Sequence, residues 1–391
     1  MQTKNILYEN FKNKEKNKKI KKFLKNFRIE NLIDQYPLLK SLEKNYNYTF
    51  KKKNLKKFKK FNNYNIIGMG GSILGAQAIY DFARHKIKKN FYFFNNLQSY
   101  KISKIKNKCL NIIISKSGNS LETITNLNFV LDKQKKNKNL IITENKKNIL
   151  MNIANQLKAD VIEHKNFIGG RYSVLSEVGM VPAELMGLRE TKFKIFNSLI
   201  NKKNFINYLT QNVASIYLNI NNGRKNCVIL NYDENLDSFL KWYQQLAAES
   251  LGKKRKGIFP IISTMPKDNH SLMQLYLDGP KNNFFSFFDS REKNSFKLKK
   301  KFLTNEINQL NKKNIDIILK AQKKATQNVF ARQNLSFRSF EIKNKNEETL
   351  GELFTFFILE ILMLAKLLNV DPISQPSVEL IKVETKKILK Y

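Results

Sequence analysis

The chain has 391 residues, 42 % of them hydrophobic, which is more than one core commonly holds and excludes a wholly disordered chain. Its formal net charge of +39 rests on 62 lysines against nine arginines, and the lopsided use of Lys, Asn and Ile is what codon bias in an AT-rich genome produces. Such a field also draws in anionic metabolites, but the lysines are scattered over the whole length without a recognisable docking module, which argues against a nucleic-acid partner.

Along the chain, residues 1–60 read as a helical segment in pieces, broken by lysine-rich runs at Lys12–Lys22 and Lys51–Lys60. The start is polar and has no apolar signal core. A βα alternation follows: strand Tyr64–Gly68, helix Ser72–Arg84, strand Asn90–Phe94, strand Cys109–Ile114, helix Ser120 to about Gln134. Strands Leu140–Thr143 and Asp160–His164 flank a further helix. A second alternation begins after Ile220: strand Cys227–Leu230, helix Leu236–Leu251, strand Gly257–Ser263, helix His270–Leu277 and strand Asn283–Phe288. It continues with a helix near Thr304–Gln327, strand Arg338–Ile342 and the long helix Glu347–Leu368. Short apolar runs alternating with helical patterns predict two α/β sandwich domains with mostly parallel sheets, each covered on both faces.

Cys109 and Cys227 sit in apolar runs and make no disulfide framework. The longest apolar stretch, Leu353–Leu368, is interrupted by Glu360 and Lys366 and falls short of a ~20-residue membrane span. It is expected to be a buried helix in a soluble, cytoplasmic protein with no membrane partner.

Five short segments carry the chemistry. Strand Asn111–Ile114 runs into Ser115-Lys116-Ser117-Gly118-Asn119-Ser120, with Asn119 and Glu122 spaced as a capping box. Hydroxyls, a lysine and a glycine at a helix N-terminus, beyond the carboxyl end of a strand, suit an anion such as phosphate. Gly68-Met69-Gly70-Gly71-Ser72 is a tight βα turn too short for a dinucleotide fingerprint. In Gly169-Gly170-Arg171 the glycines let the backbone approach a ligand closely, and the guanidinium, permanently charged, suits developing negative oxygens. Trp242, Gln245 and Glu249 share one helix face, where Glu249 is the candidate general base, against the plainer reading of a surface partner for Lys253. His270, at a helix start, has the chemistry of a proton shuttle, whereas His85 and His164 read as surface residues. No His/Cys/Asp/Glu cluster has metal spacing, so neither metal nor organic cofactor is expected.

In that order these segments resemble the glucose-6-phosphate isomerase family of bacterial type, with two sugar isomerase (SIS) domains, over about Asn65–Lys382. The resemblance implies two three-layer α/β/α domains, 61–190 with the phosphate loop and 191–345, and C-terminal helices in 346–391 that complete the active site. It implies phosphate contacts from Ser115, Lys116, Ser117, Ser120 and Thr123, and sugar contacts from Gly71, Ser72 and Gln245. It makes Glu249, in its Glu-Ser-x-Gly-Lys setting, the base that moves a proton from carbon 2 to carbon 1, with Arg171 beside the enediolate. Ring opening falls to His270, donated by the partner of a homodimer, and to Lys382, with Gln375 near the phosphate. The C-terminal signature departs from the family at Ser374 and Ser377, and Lys386, Lys387 and Lys390 leave its register open. Three other readings stand beside the isomerase: a sugar-phosphate sensor without turnover, an isomerase that also accepts mannose 6-phosphate, and a basic nucleic-acid-binding protein.

Overall fold

A computed structural model describes residues 1–11, 28–97, 108–133, 137–291 and 295–390. Strand β1 (Ile6–Glu9) and the short helices α1 (Ile29–Gln35) and α2 (Lys52–Leu55) come first. They are followed by β2 (Asn63–Gly68), α3 (Leu74–Phe82), β3 (Asn90–Phe94), β4 (Cys109–Ile114), α4 (Leu121–Lys133), β5 (Lys138–Thr143), α5 (Ile149–Leu157) and β6 (Asp160–Glu163). Helices α6 (Glu177–Met186), α7 (Phe196–Ile200) and α8 (Lys203–Asn221) lead to β7 (Asn226–Asn231), α9 (Asp237–Leu251), β8 (Phe259–Thr264), α10 (Met273–Asp278) and β9 (Asn283–Ser290). The chain continues through α11 (Ile315–Arg332), β10 (Phe337–Ile342), α12 (Glu347–Leu368) and α13 (Pro376–Leu389).

Two five-stranded sheets result, ordered β3-β2-β4-β5-β6 and β1-β10-β9-β7-β8. The first is parallel throughout. In the second only β1 runs antiparallel, with Ile6 opposite Ile342. A strand such as β4, Cys-Leu-Asn-Ile-Ile-Ile, is buried along its whole length, as a parallel strand covered on both faces must be. The asparagine within it is satisfied by its neighbours. Asn65 donates to Asn111 at 2.8 Å and Asn111 to Asn139 at 2.9 Å, one rung per strand.

The largest core lies between the sheets and takes residues from α3, α6, α8, α9 and α12 together with the inner faces of both. The outer face of the first sheet is covered by α4 and α5, and that of the second by α10 and α11. The architecture is therefore two three-layer α/β/α sandwiches that meet through their inner helices. Helix α12 is buried on nearly all sides, which explains its all-round apolar sequence. Asn346 accepts from Thr349 N at 2.9 Å to cap its start, and Asn369, at φ +53°, ends it. Among the described residues no helix is long and apolar enough to cross a membrane.

Three expectations need correction. Residues 6–9 are not helical: they form β1, whose Tyr8 donates to Glu352 on α12 at 2.8 Å and packs against Phe340 and Phe356. The helix expected at Thr304 begins at Ile315, where the Asn314 side chain caps it by accepting from Ile317 N. The helix expected at His270 begins at Met273. Asp268 holds the preceding turn by accepting from Ser263, Thr264 N and Ser271. The lysine run at Lys12–Lys22 and the expected helix end at Gln134 lie outside the described residues.

Candidate active site

The carboxyl ends of β2 and β4 open into a cleft of about 350 Å³ between the two domains. A larger hollow of about 610 Å³ is lined by Tyr36, Phe167, Lys254 and the turn at 369–373 and carries none of the candidate site residues.

At one end of the cleft stands the loop after β4. Ser115, Lys116, Ser117 and Ser120 all line it. The Ser115 and Ser120 hydroxyls are 3.1 Å apart, and Gly118, at φ +68°, lets the loop fold against Asn148. Lys116 Nζ donates to Asn166 O at 2.6 Å, and burial holds its pKa below the ordinary lysine value, an effect Glu144 partly opposes. Thr123 does not line the cleft. It is fully buried in the first turn of α4, and its hydroxyl has no hydrogen-bond partner among the described residues. The capping box is also not formed as expected. Asn119 turns its side chain to accept from Ile149 N at 3.0 Å, across to the start of α5.

At the other end Arg171 and Glu249 meet. Arg171 Nη1 is 3.1 Å from Glu249 Oε2, and Gln245 Nε2 donates to Glu249 Oε1 at 2.8 Å. The carboxylate is thus held by two donors on opposite oxygens while its side chain stays 26 % exposed to the cleft. Lys253 does not pair with it, donating instead to Ser250 O and Asp371 O. Arg171 is itself buried and fixed. Nε donates to Ser250 Oγ at 2.9 Å, Nη1 to Gln375 Oε1 at 2.7 Å, and Nη2 to Pro372 O and Ile373 O at 2.5 and 2.8 Å. Trp242 Nε1 holds its backbone carbonyl at 3.1 Å. The arginine therefore satisfies turn carbonyls and faces the cleft at once.

The two glycine motifs serve each other. A side chain on Gly71 would meet Gly170 C at 2.2 Å and Arg171 N at 2.5 Å. The loops cross with no room for a Cβ, which delivers Arg171 beside Gly71 and Ser72 on the cleft wall. The close approach expected at Gly169-Gly170 is thus first of all to the Gly71 backbone.

Gln375 and Lys382 line the cleft from α13 and its N-terminal turn. Gln375 Oε1 is taken by Arg171, and Lys382 Nζ pairs with Glu379 at 2.6 Å. His270 does not join them: it is exposed after β8 and contributes nothing to the cleft of its own chain. Of the other histidines, His164 is buried rather than surface-exposed, and burial lowers its pKa. Glu144, Lys146 and Glu379 line the cleft without having been singled out in the sequence. The first two follow β5, the parallel neighbour of β4, so sheet order was the available signal.

Fold and site together define an α/β protein with a cleft at the carboxyl ends of its strands, a serine-rich loop with Lys116 at one end and a carboxylate–guanidinium pair at the other. Residues 40–391 match the family model described as phosphoglucose isomerase. A glucose-6-phosphate isomerase from Methanocaldococcus jannaschii is 33 % identical, over 86 % of this chain and 86 % of its own. One from Mycoplasma mycoides subsp. mycoides is 32 % identical, over 83 % and 82 %. The chain belongs to the phosphoglucose isomerase family. Among solved structures, a hypothetical protein from Thermus thermophilus is similar in fold, with a TM-score of 0.82 and 21 % identity over 95 % of this chain and 96 % of its own. A glucose-6-phosphate isomerase from Chlamydia trachomatis has a TM-score of 0.71 and 18 % identity over 87 % and 72 %.

Proposed function

We propose that this protein interconverts D-glucose 6-phosphate and D-fructose 6-phosphate, using two sugar isomerase domains of the bacterial type. The observation that carries this reading is the Glu249 carboxylate held between Gln245 and Arg171, across one cleft from the Ser115–Ser120 loop. The loop anchors the phosphate, and the sugar lies along Gly71, Ser72 and Gln245. Glu249 removes the proton at carbon 2 and returns it to carbon 1, and Arg171 balances the enediolate oxygens in between. Thr123, buried beneath the loop with no hydrogen-bond partner for its hydroxyl among the described residues, is not assigned a phosphate contact.

Ring opening needs a proton donor at the ring oxygen, which we assign to His270 of a second copy together with Lys382. Two observations support a homodimer. His270 is exposed and outside its own cleft. Helix α13 buries no residue and leaves Leu380, Ile381 and Ile388 more than two-thirds exposed, an apolar face that a second copy covers.

A coupled assay of the purified full chain with fructose 6-phosphate tests the reading. Turnover inhibited by a sugar-acid phosphate that mimics the enediolate is the expected result; binding of both sugars without turnover overturns it in favour of a sensor. Mixing a His270→Ala chain with a Glu249→Gln chain tests the shared site. Activity that reappears on mixing supports donation across the dimer, and two inactive parents with no recovery count against it.

A further inference from the structure

The turn after β5 places a carboxylate where an anion is to bind. Glu144 is 8 % exposed, yet lines the cleft beside Ser115, Ser117 and Ser120. Its two oxygens face two ammonium groups: Lys116 Nζ lies 3.6 Å from Oε1, and Lys146 Nζ pairs with Oε2. Both lysines also line the cleft.

The arrangement is built into the backbone. Glu144 N donates to Lys116 O at 3.1 Å, Ser115 N to Ile142 O at 3.1 Å and Leu150 N to Gly118 O at 3.1 Å, so β5, the turn after it and the start of α5 are each tied once to the loop after β4. Asn148 Nδ2 donates to Lys146 O at 3.0 Å and fixes the turn from below. Lys146 itself is 58 % exposed along its side chain. Packing therefore does not hold its ammonium, which is free to turn from Glu144 to a bound anion.

Two ammonium groups around one carboxylate leave this end of the cleft with a single net positive charge. A phosphate dianion seated among the three hydroxyls would meet Lys116, but it would also meet Glu144, whose charge opposes it. That repulsion is offset only if the second lysine turns from the carboxylate to the phosphate. Taking the Ser115–Ser120 loop as the phosphate loop, on which this inference rests, we propose that Lys146 is a second phosphate-binding cation. Glu144 competes with the phosphate for both lysines and gives them up when the phosphate binds. Burial, which pulls the Lys116 pKa down, is in keeping with a site that needs an anion at its centre.

Calorimetric titration of the full chain with inorganic phosphate at fixed low ionic strength tests this, because it needs no turnover. Lys146→Gln should weaken phosphate binding by about fivefold and Glu144→Gln should tighten it by about fivefold, the usual size of one partly exposed charge contact. The decisive step is Lys146→Gln in the Glu144→Gln background. A lysine that touches phosphate still costs about fivefold there. A lysine that only neutralises Glu144 costs nothing there, and that result overturns the proposal. Melting temperatures of the three variants close to the parent's exclude a folding effect. If the parent chain binds neither phosphate nor a sugar phosphate, the phosphate-loop reading falls and this inference with it. If it binds both but the decisive step is flat, only this inference falls.

Discussion

Glu249→Gln is expected to lower turnover by about 10²- to 10⁴-fold, the range a positioned general base contributes, while sugar-phosphate binding persists. The geometry makes the substitution a clean one. Glu249 Oε1 and Oε2 each accept one hydrogen bond, from Gln245 and Arg171. An amide keeps an acceptor for Arg171 and turns its NH₂ toward Gln245. Gln245 can accommodate that by rotating its own amide, because its Oε1 is buried and has no hydrogen-bond partner among the described residues. The pair can therefore re-form with donor and acceptor exchanged; the Gln245 NH₂ then takes the place of an oxygen that already lacks a partner, so the number of orphaned groups does not rise. Loss of turnover then reports the missing proton acceptor and not a collapsed site. The check is a steady-state assay beside a binding isotherm and a melting curve for the same preparation. Glu249→Asp keeps the base but withdraws it by one methylene, and should fall between the parent and the amide variant. Retention of more than about a tenth of parental turnover by the amide variant would remove Glu249 from the general-base role.

Much of the fold was legible because the strands are continuous apolar runs cut by turn residues. The bounds read for Asn90–Phe94, Cys109–Ile114 and Glu347–Leu368 agree with the structure. Strand β1 was not legible. Four residues carry too little pattern, and its hydrogen bonds run to β10, more than three hundred residues away. Asn119 shows the same limit in reverse. Its local spacing to Glu122 favours a cap on α4, but the free N–H at Ile149 is nearer in space and takes the side chain. At the site, the motif residues other than Thr123 and His270 came together in one cleft, whereas Glu144 and Lys146, in no motif, entered through the adjacency of β5 to β4. The glycines at Gly71 and Gly170 were readable as special positions. That they are special to each other is a property of two loops crossing, which no single segment contains.

Glu360→Ala is expected to cost about 3–5 kcal/mol of stability, the usual result of stripping one partner from a buried ion pair. Glu360 and Arg338 are both fully buried in the second domain. The guanidinium also donates to Ser286 Oγ at 2.8 Å and Asn212 Oδ1 at 3.0 Å, and stacks near Phe340 and Phe357. Burial alone would push the Arg338 pKa down; Glu360 reverses this and raises it. A guanidinium does not lose its proton in a protein, so Arg338 remains charged when the carboxylate is removed, and it is the unpaired charge that destabilises. Tyr243 donates to Glu360 at 3.0 Å and sits on α9, the helix that carries Glu249, so partial loosening of this network should reach the active site as lost activity before global melting. Replacing both partners together, as Glu360→Leu with Arg338→Met, removes both charges with little change in volume and by the same reasoning recovers most of the loss, since an apolar pair of similar volume is often as stable as a buried salt bridge. Urea midpoints and melting temperatures of the single and double variants measure this. A double variant as unstable as Glu360→Ala would mean that the hydrogen bonds to Asn212, Ser286 and Tyr243, and not the charge pair, hold this part of the core.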